Sequence, residues 1–156
     1  SVGPSTRVPH TTPTPLSTSL SLSAGTNLAI SNAIGANAID LSATGGSITQ
    51  TGTGILTGGV LTTVSNGGVI LNVAANDITS YTGIESNGDI LFSSINDVSV
   101  GAISASGNIE LTALSLNQSA GVINANQLTT NTTNGSSLAN ANTVNSYSAK
   151  IGRAHV

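Results

Sequence analysis

The chain has 156 residues and a formal net charge of −3, the size of a single domain. Charged residues make up 6% and aromatics 2%, and Cys, Met and Trp are absent, which excludes a disulfide framework, a zinc–cysteine site and a cysteine nucleophile. Arg7, Lys150 and Arg153 are the three permanent cations, too few for an interface that follows nucleic-acid phosphates, and no apolar run approaches the roughly 18 residues of a membrane-spanning helix.

In chain order, the first element is a Pro/Thr/Ser lead over residues 1–19. It holds all four prolines, Pro4, Pro9, Pro13 and Pro15, and reads as extended and weakly ordered. Nothing in it resembles a signal peptide. With Ser at position 1, the chain reads as an internal piece of a longer protein. Residues 20–148 contain no Pro, as long paired β structure requires. Short apolar strings alternate with small polar residues: Leu20-Ser-Leu22, Leu28-Ala-Ile30, Ile39-Asp-Leu41, Ile109-Glu-Leu111 and Leu114-Ser-Leu116. Alternation bounded by Gly, Asn and Ser predicts short strands.

Repeats set the predicted architecture. Units return about every 20 residues: Ile84, Ile103 and Ile123 each open one, and Ile90, Ile109 and Leu128 follow. Val64–Ile70 matches Ile84–Ile90, and Asn76-Asp-Ile78 matches Asn96-Asp-Val98. A longer repeat, offset by 66 to 70 residues, joins Ser47–Gln50 to Ser115–Gln118, Leu61–Thr63 to Leu128–Thr130, Ile39–Ala43 to Ile109–Ala113, and Tyr81 to Tyr147. It reads as about three short units. A β pattern with this period predicts an all-β, right-handed parallel β-helix (a β-solenoid) of roughly six coils of about 20 residues. Ile39, Leu41, Ile90, Ile109 and Leu111 are expected inside. Asn, Ser and Thr are expected to form ladders at corners and on the outside.

Candidate chemistry is sparse. The six carboxylates are Asp40, Asp77, Glu85, Asp89, Asp97 and Glu110. Asp77 and Asp97 are repeat-equivalent, and if stacked in adjacent coils they would form an acid/base dyad or a calcium site. The plainer reading is an Asn-Asp turn whose side chains cap backbone groups. Glu85 and Glu110 are expected on solvent faces. His10 falls in the lead and His155 in the tail, so no Ser-His-Asp set forms within the repeats. Thr49-Gln-Thr51-Gly-Thr53 resembles the start of a flat threonine array, but the pattern does not recur. Asn117, Asn131 and Asn134 begin glycosylation triplets, which chance supplies readily in a chain with 23 Ser, 21 Thr and 17 Asn. Tyr81 and Tyr147 are expected to pack as corner rings against a neighbouring coil. No catalytic, cofactor-binding or metal-ligating residue is expected, and no cofactor.

The runs Gly45–Gly52, Ser86–Leu91, Ser106–Ala113 and Gln118–Ile123 resemble filamentous-haemagglutinin-type repeats of large exoproteins from Gram-negative bacteria. The resemblance covers about residues 20–148. It implies secretion across the outer membrane through a two-partner or autotransporter route, and a cell-surface role in adhesion or as a stalk. It also implies as partners an outer-membrane transporter during export, the neighbouring coils of the parent protein, and host glycans or matrix. The secretion domain of that family carries an Asn-Pro-Asn-type motif. No Asn-Pro pair occurs here, which places the chain in the repeat shaft, without catalysis. The alternative is a fragment of a β-helix carbohydrate-active enzyme, a polysaccharide lyase or hydrolase. Residues 149–156 form a tail that breaks the repeat. Within it, Ile151–Val156 are similar to the translated adapter of a sequencing library; a native tail of chance likeness is the other reading. They are set aside from functional reasoning.

Overall fold

The structure, a computed structural model, describes residues 18–85 and 87–152. They form fourteen strands and no helix. The first seven are β1 (Ser19–Ala24), β2 (Leu28–Ile30), β3 (Ile34–Ala43), β4 (Ile48–Gln50), β5 (Leu56–Ser65), β6 (Val69–Leu71) and β7 (Asp77–Glu85). There follow β8 (Ile90–Ser93), β9 (Asp97–Ser104), β10 (Asn108–Ala113), β11 (Ser115–Gln118), β12 (Ile123–Thr132), β13 (Ser136–Ser137) and β14 (Thr143–Ile151).

Each strand pairs with the strand about one coil away, and the ladders are parallel. Parallel neighbours need a long connection, and here the rest of the coil is that connection. Leu20 stands beside Ile39, Ile39 beside Leu61 and Leu61 beside Tyr81, steps of 19, 22 and 20 residues. The result is a parallel β-solenoid. Its layers follow β2, β4, β6, β8, β10, β12 and β14 on one face, making seven turns where six were expected. Six steps of about 4.8 Å make a stack roughly 29 Å tall.

The core is a narrow column of aligned aliphatic side chains. Ile48, Val69, Ile90, Ile109 and Leu128 lie one above the next and are 0–2% exposed. The five residues expected inside, Ile39, Leu41, Ile90, Ile109 and Leu111, are all buried. Each such side chain contributes about 1.5–3 kcal/mol. The one large-ring contact in the column is Tyr81 on Phe92, with centroids 4.4 Å apart and planes at 15°.

Three details differ from the repeat as read in the sequence. First, Ile84 is not the counterpart of Ile103. Ile84 pairs with Ser104, whereas Ile103 pairs with Gly83 and Ile123. Strand alternation turns Tyr81, Gly83 and Glu85 inward, so Ile84 faces out; a register shift between Tyr81 and Gly83 adds the extra residue in β9. Second, Val64 does lie beside Ile84, but Val69 and not Ile70 lies beside Ile90. The turn after β5 is one residue shorter, closed by Gly68 at φ 116°, a conformation that favours glycine. Third, the long repeat is more than three units. Leu61 lies on β5 between β3 and β7, while its match Leu128 lies on β12 between β10 and β14. An offset of 66 to 70 residues therefore carries the pattern three coils and one further face around the axis.

Residues 1–17 of the expected lead and residues 153–156 of the tail lie outside the described residues. Pairing runs past the expected boundary at residue 148: Ala149, Lys150 and Ile151 pair with Thr130, Asn131 and Thr132. The alternation of Tyr147, Ala149 and Ile151 continues the inward positions of β12, and that carries the strand on.

Candidate functional site

The two aspartates singled out as a dyad take separate partners. Asp77 Oδ1 accepts a hydrogen bond from Asn96 Nδ2, and Asp97 Oδ1 accepts one from Ser115 Oγ at 2.6 Å. Ser80 pairs with Ser99, a step of 19, so the coil above brings Asn96 to Asp77. The Asn-Asp reading is half met. Asn76 caps backbone, as described below, whereas Asp77 and Asp97 bind side chains. No group of three or more His, Cys, Asp or Glu side chains suited to a metal forms among the described residues. His10 and His155 lie outside them.

Glu85 is a correction. It was expected on a solvent face and is 3% exposed. Its carboxylate accepts from the backbone N–H groups of Asn87 and Gly88. Position, not charge, decides this: Glu85 lies beside Ser65, which lies beside Ala43, in an inward row at the end of the strand. There the carboxylate replaces water for two turn N–H groups that would otherwise be unpaired. Ser65 does the same one coil earlier, accepting from Gly68 N at 3.1 Å. Glu110 is exposed, as expected.

The built polar feature of the interior is a pair of amide clasps. Gln50 Nε2 donates to Asn76 Oδ1 and to Gly54 O, and Asn76 Nδ2 returns a bond to Gln50 Oε1 at 3.1 Å. Asn76 also accepts from Leu56 N at 2.9 Å and donates to Leu71 O at 3.2 Å. The same device recurs one long repeat later. Gln118 Nε2 donates to Asn142 Oδ1 at 2.8 Å and to Gly121 O at 3.0 Å, and Asn142 Nδ2 donates to Gln118 Oε1 at 2.9 Å. Ile123 N donates to Asn142 Oδ1 at 2.8 Å. Each clasp holds loop backbone that no strand ladder serves, and its partly or fully buried amides are satisfied. The Ser47–Gln50 and Ser115–Gln118 match marked the glutamines in the sequence. Their partners were missed because each lies a coil plus a corner away.

The tyrosines share a hydroxyl contact and differ in burial. Tyr81 is fully buried, with its OH 2.8 Å from Thr63 Oγ1. Burial pushes its phenol pKa up, and the Thr63 hydrogen bond opposes this in part. Tyr147 has its OH 2.9 Å from Thr130 Oγ1 and is 50% exposed. Thr53 turns its hydroxyl onto Ser31 O at 2.8 Å, so Thr49, Thr51 and Thr53 present no open array. Asn117 and Asn134 are exposed. Asn131 is half-buried and donates to Thr112 Oγ1 at 3.4 Å.

Among the shallow troughs on the surface of the described residues are the following two. One, of about 290 Å³, runs between Thr112, Asn131, Thr133 and Lys150. The other, of about 280 Å³, is floored by Gly67 and Gly88 and walled by Thr49, Ile70 and Asp89. A Cβ at Gly67 would meet Gly46 backbone at 2.9 Å, so the floor is glycine because coils touch there. Neither trough brings two carboxylates together. Asparagine ladders climb the outside: Asn87 donates to Asn66 at 2.8 Å, and Asn145 to Asn126 at 3.1 Å and Asn126 to Asn108 at 3.2 Å. No family model, curated protein or solved structure matches this chain.

Proposed function

We propose that this chain is a shaft segment of a secreted cell-surface protein of Gram-negative bacteria, and that it performs no catalysis. The observation that carries the reading is the unbroken stack of seven parallel layers on one face. Such a stack turns sequence length into axial length, because each coil uses both edges of its neighbours. Its side chains serve that task. Aliphatic columns fill the interior, amide clasps hold the loops between strands, and Asn ladders tie coil to coil outside. The likeness to filamentous-haemagglutinin repeats supplies the compartment and the export route through an outer-membrane transporter. Weak contacts with host glycans or matrix would use the broad polar faces.

The reading of the same coils as a piece of a polysaccharide lyase or hydrolase requires converging carboxylates. Asp77 on Asn96 and Asp97 on Ser115 favour the shaft. The test is to assay the chain for turnover on polyuronides and for binding to arrays of glycans and matrix proteins. The shaft reading expects no turnover and at most weak, non-selective binding. Turnover lost in Asp77→Asn or Asp97→Asn defeats it, and tight binding to one glycan makes the segment an adhesive module instead.

A further inference from the structure

Three Asn-Gly pairs occur in the chain: Asn66-Gly67, Asn87-Gly88 and Asn134-Gly135. Such a pair is open to self-modification. The glycine nitrogen can close a five-membered ring on the side-chain carbonyl carbon, and no Cβ beside it crowds the approach. All three asparagines are exposed, so exposure does not rank them. What differs is the group that holds the glycine N–H. Gly67 N donates to the backbone carbonyl of Gly46 at 2.9 Å. Gly135 N donates to Thr132 Oγ1 at 3.1 Å. Gly88 N donates to the carboxylate of Glu85, whose other oxygen accepts from Asn87 N. A carbonyl or hydroxyl oxygen is a feeble base, whereas a carboxylate is a working one. Glu85 is also buried, so bulk water does not compete for its oxygens.

We propose that Asn87 is a self-modifying residue, converted through a succinimide to aspartate and isoaspartate with Glu85 as general base. Glu85 takes the Gly88 amide proton as the Gly88 nitrogen bonds to Asn87 Cγ. The Cγ–Nδ2 bond breaks, and the proton departs with that nitrogen as ammonia. Water then adds to either carbonyl of the ring and reopens it. One product keeps the ordinary backbone with a carboxylate on the side chain; the other runs the backbone through the side-chain carbon. No reactant besides water enters. The reaction also undoes a contact between coils. Asn87 Nδ2 donates to Asn66 Oδ1 at 2.8 Å, and a carboxylate at residue 87 has no proton to give that oxygen. The outer ladder loses this rung, and a new negative charge stands two residues from Asp89. The inference needs the Glu85 turn alone and is independent of export, adhesion or the shaft role.

The experiment is incubation of the full chain at neutral pH in heavy-oxygen water, followed by peptide mapping that counts label at each asparagine. A positioned base contributes roughly 10²–10⁴-fold, and the stiffness of a folded turn takes back part of that, so Asn87 should gain label at least about tenfold faster than Asn66 or Asn134. In concentrated urea no carboxylate is positioned, and the three rates should converge. Glu85→Thr gives this turn the hydroxyl cap that Thr132 already gives Gly135 at the same spacing. The Gly88 N–H keeps an acceptor, and labelling of Asn87 should slow by at least about tenfold. Thr132 lies as deep as Glu85, and Thr132→Glu makes the reciprocal change, which should quicken Asn134. Circular dichroism establishes that both variants keep the β spectrum. An Asn87 no faster than Asn134 in the folded parent, or a preference for Asn87 that persists in urea, would overturn the proposal without recourse to any variant. A folded Glu85→Thr chain that labels like the parent, or a folded Thr132→Glu chain whose Asn134 is no faster, would overturn it as well.

Discussion

Tyr81 and Tyr147 occupy matching places in the long repeat, and the chain treats them differently. Both place the phenol beside a threonine hydroxyl, Thr63 or Thr130. Tyr81 has a coil on each side and Phe92 against its ring, while among the described residues Tyr147 has a coil on one side only. The amide clasps divide in the same way: Asn76 is fully buried and Asn142 half-buried. Depth in the stack, rather than residue type, therefore sets what each side chain contributes.

The largest test of that contrast is truncation of the two rings. Tyr81→Ala should cost about 3–5 kcal/mol, the usual price of emptying an aromatic site in a packed core. Tyr147→Ala should cost under about 1 kcal/mol in the monomer, because half the ring is already in water. Urea titration of both variants at low protein concentration measures the difference, and equal losses would break the comparison. Next is the clasp. Asn76→Leu leaves the N–H of Leu56 and the carbonyl of Leu71 without their side-chain partner, and each buried orphan costs about 1–3 kcal/mol. Asn142→Leu should lose less than half as much in the same titration.

A third effect is alkaline. The ordinary tyrosine value is 10.0, and burial raises that of Tyr81 in the fold. Below pH 10 both folded and unfolded chains keep this proton, and the contribution is intact. Above it the unfolded chain loses the proton first, so stability should fall by up to about 1.4 kcal/mol per pH unit from this group. Thermal melts from pH 8 to 11 should show the decline, and Tyr81→Phe should flatten it. An unchanged slope in Tyr81→Phe assigns the decline elsewhere. The smallest effect separates the two glutamates. Glu85→Ala should cost about 1–2 kcal/mol by leaving turn N–H groups unpaired, whereas Glu110→Ala should stay within about 0.5 kcal/mol.

The solenoid was legible because its signal is spread over the whole chain. Alternation of Ile, Val and Leu with small polar residues, a period near 20 and the lack of proline past residue 15 leave few other folds. The five core positions followed from the same pattern. What was hidden depended on counting within a period. A one-residue difference in one turn moved Ile70 outside and Val69 inside, and strand parity placed Glu85 inside despite its charge. The clasps were half visible. Matching glutamines stood out, but Asn76 and Asn142 lie 26 and 24 residues from them, a spacing with meaning only once the coil length and corner positions are known. Asp77 and Asp97 fell apart as a pair for the same reason, since neighbouring coils differ in length.

The most direct test of stacking depth is hydrogen exchange read residue by residue on the chain at low protein concentration. Amides of β3, β5, β7, β8 and β10 should exchange slowest and together, at the rate of global opening, while β1 and β14 exchange faster although their side-chain pattern is the same. Protection in β14 equal to that in β7, or protection that follows residue type and not position in the stack, would contradict the account.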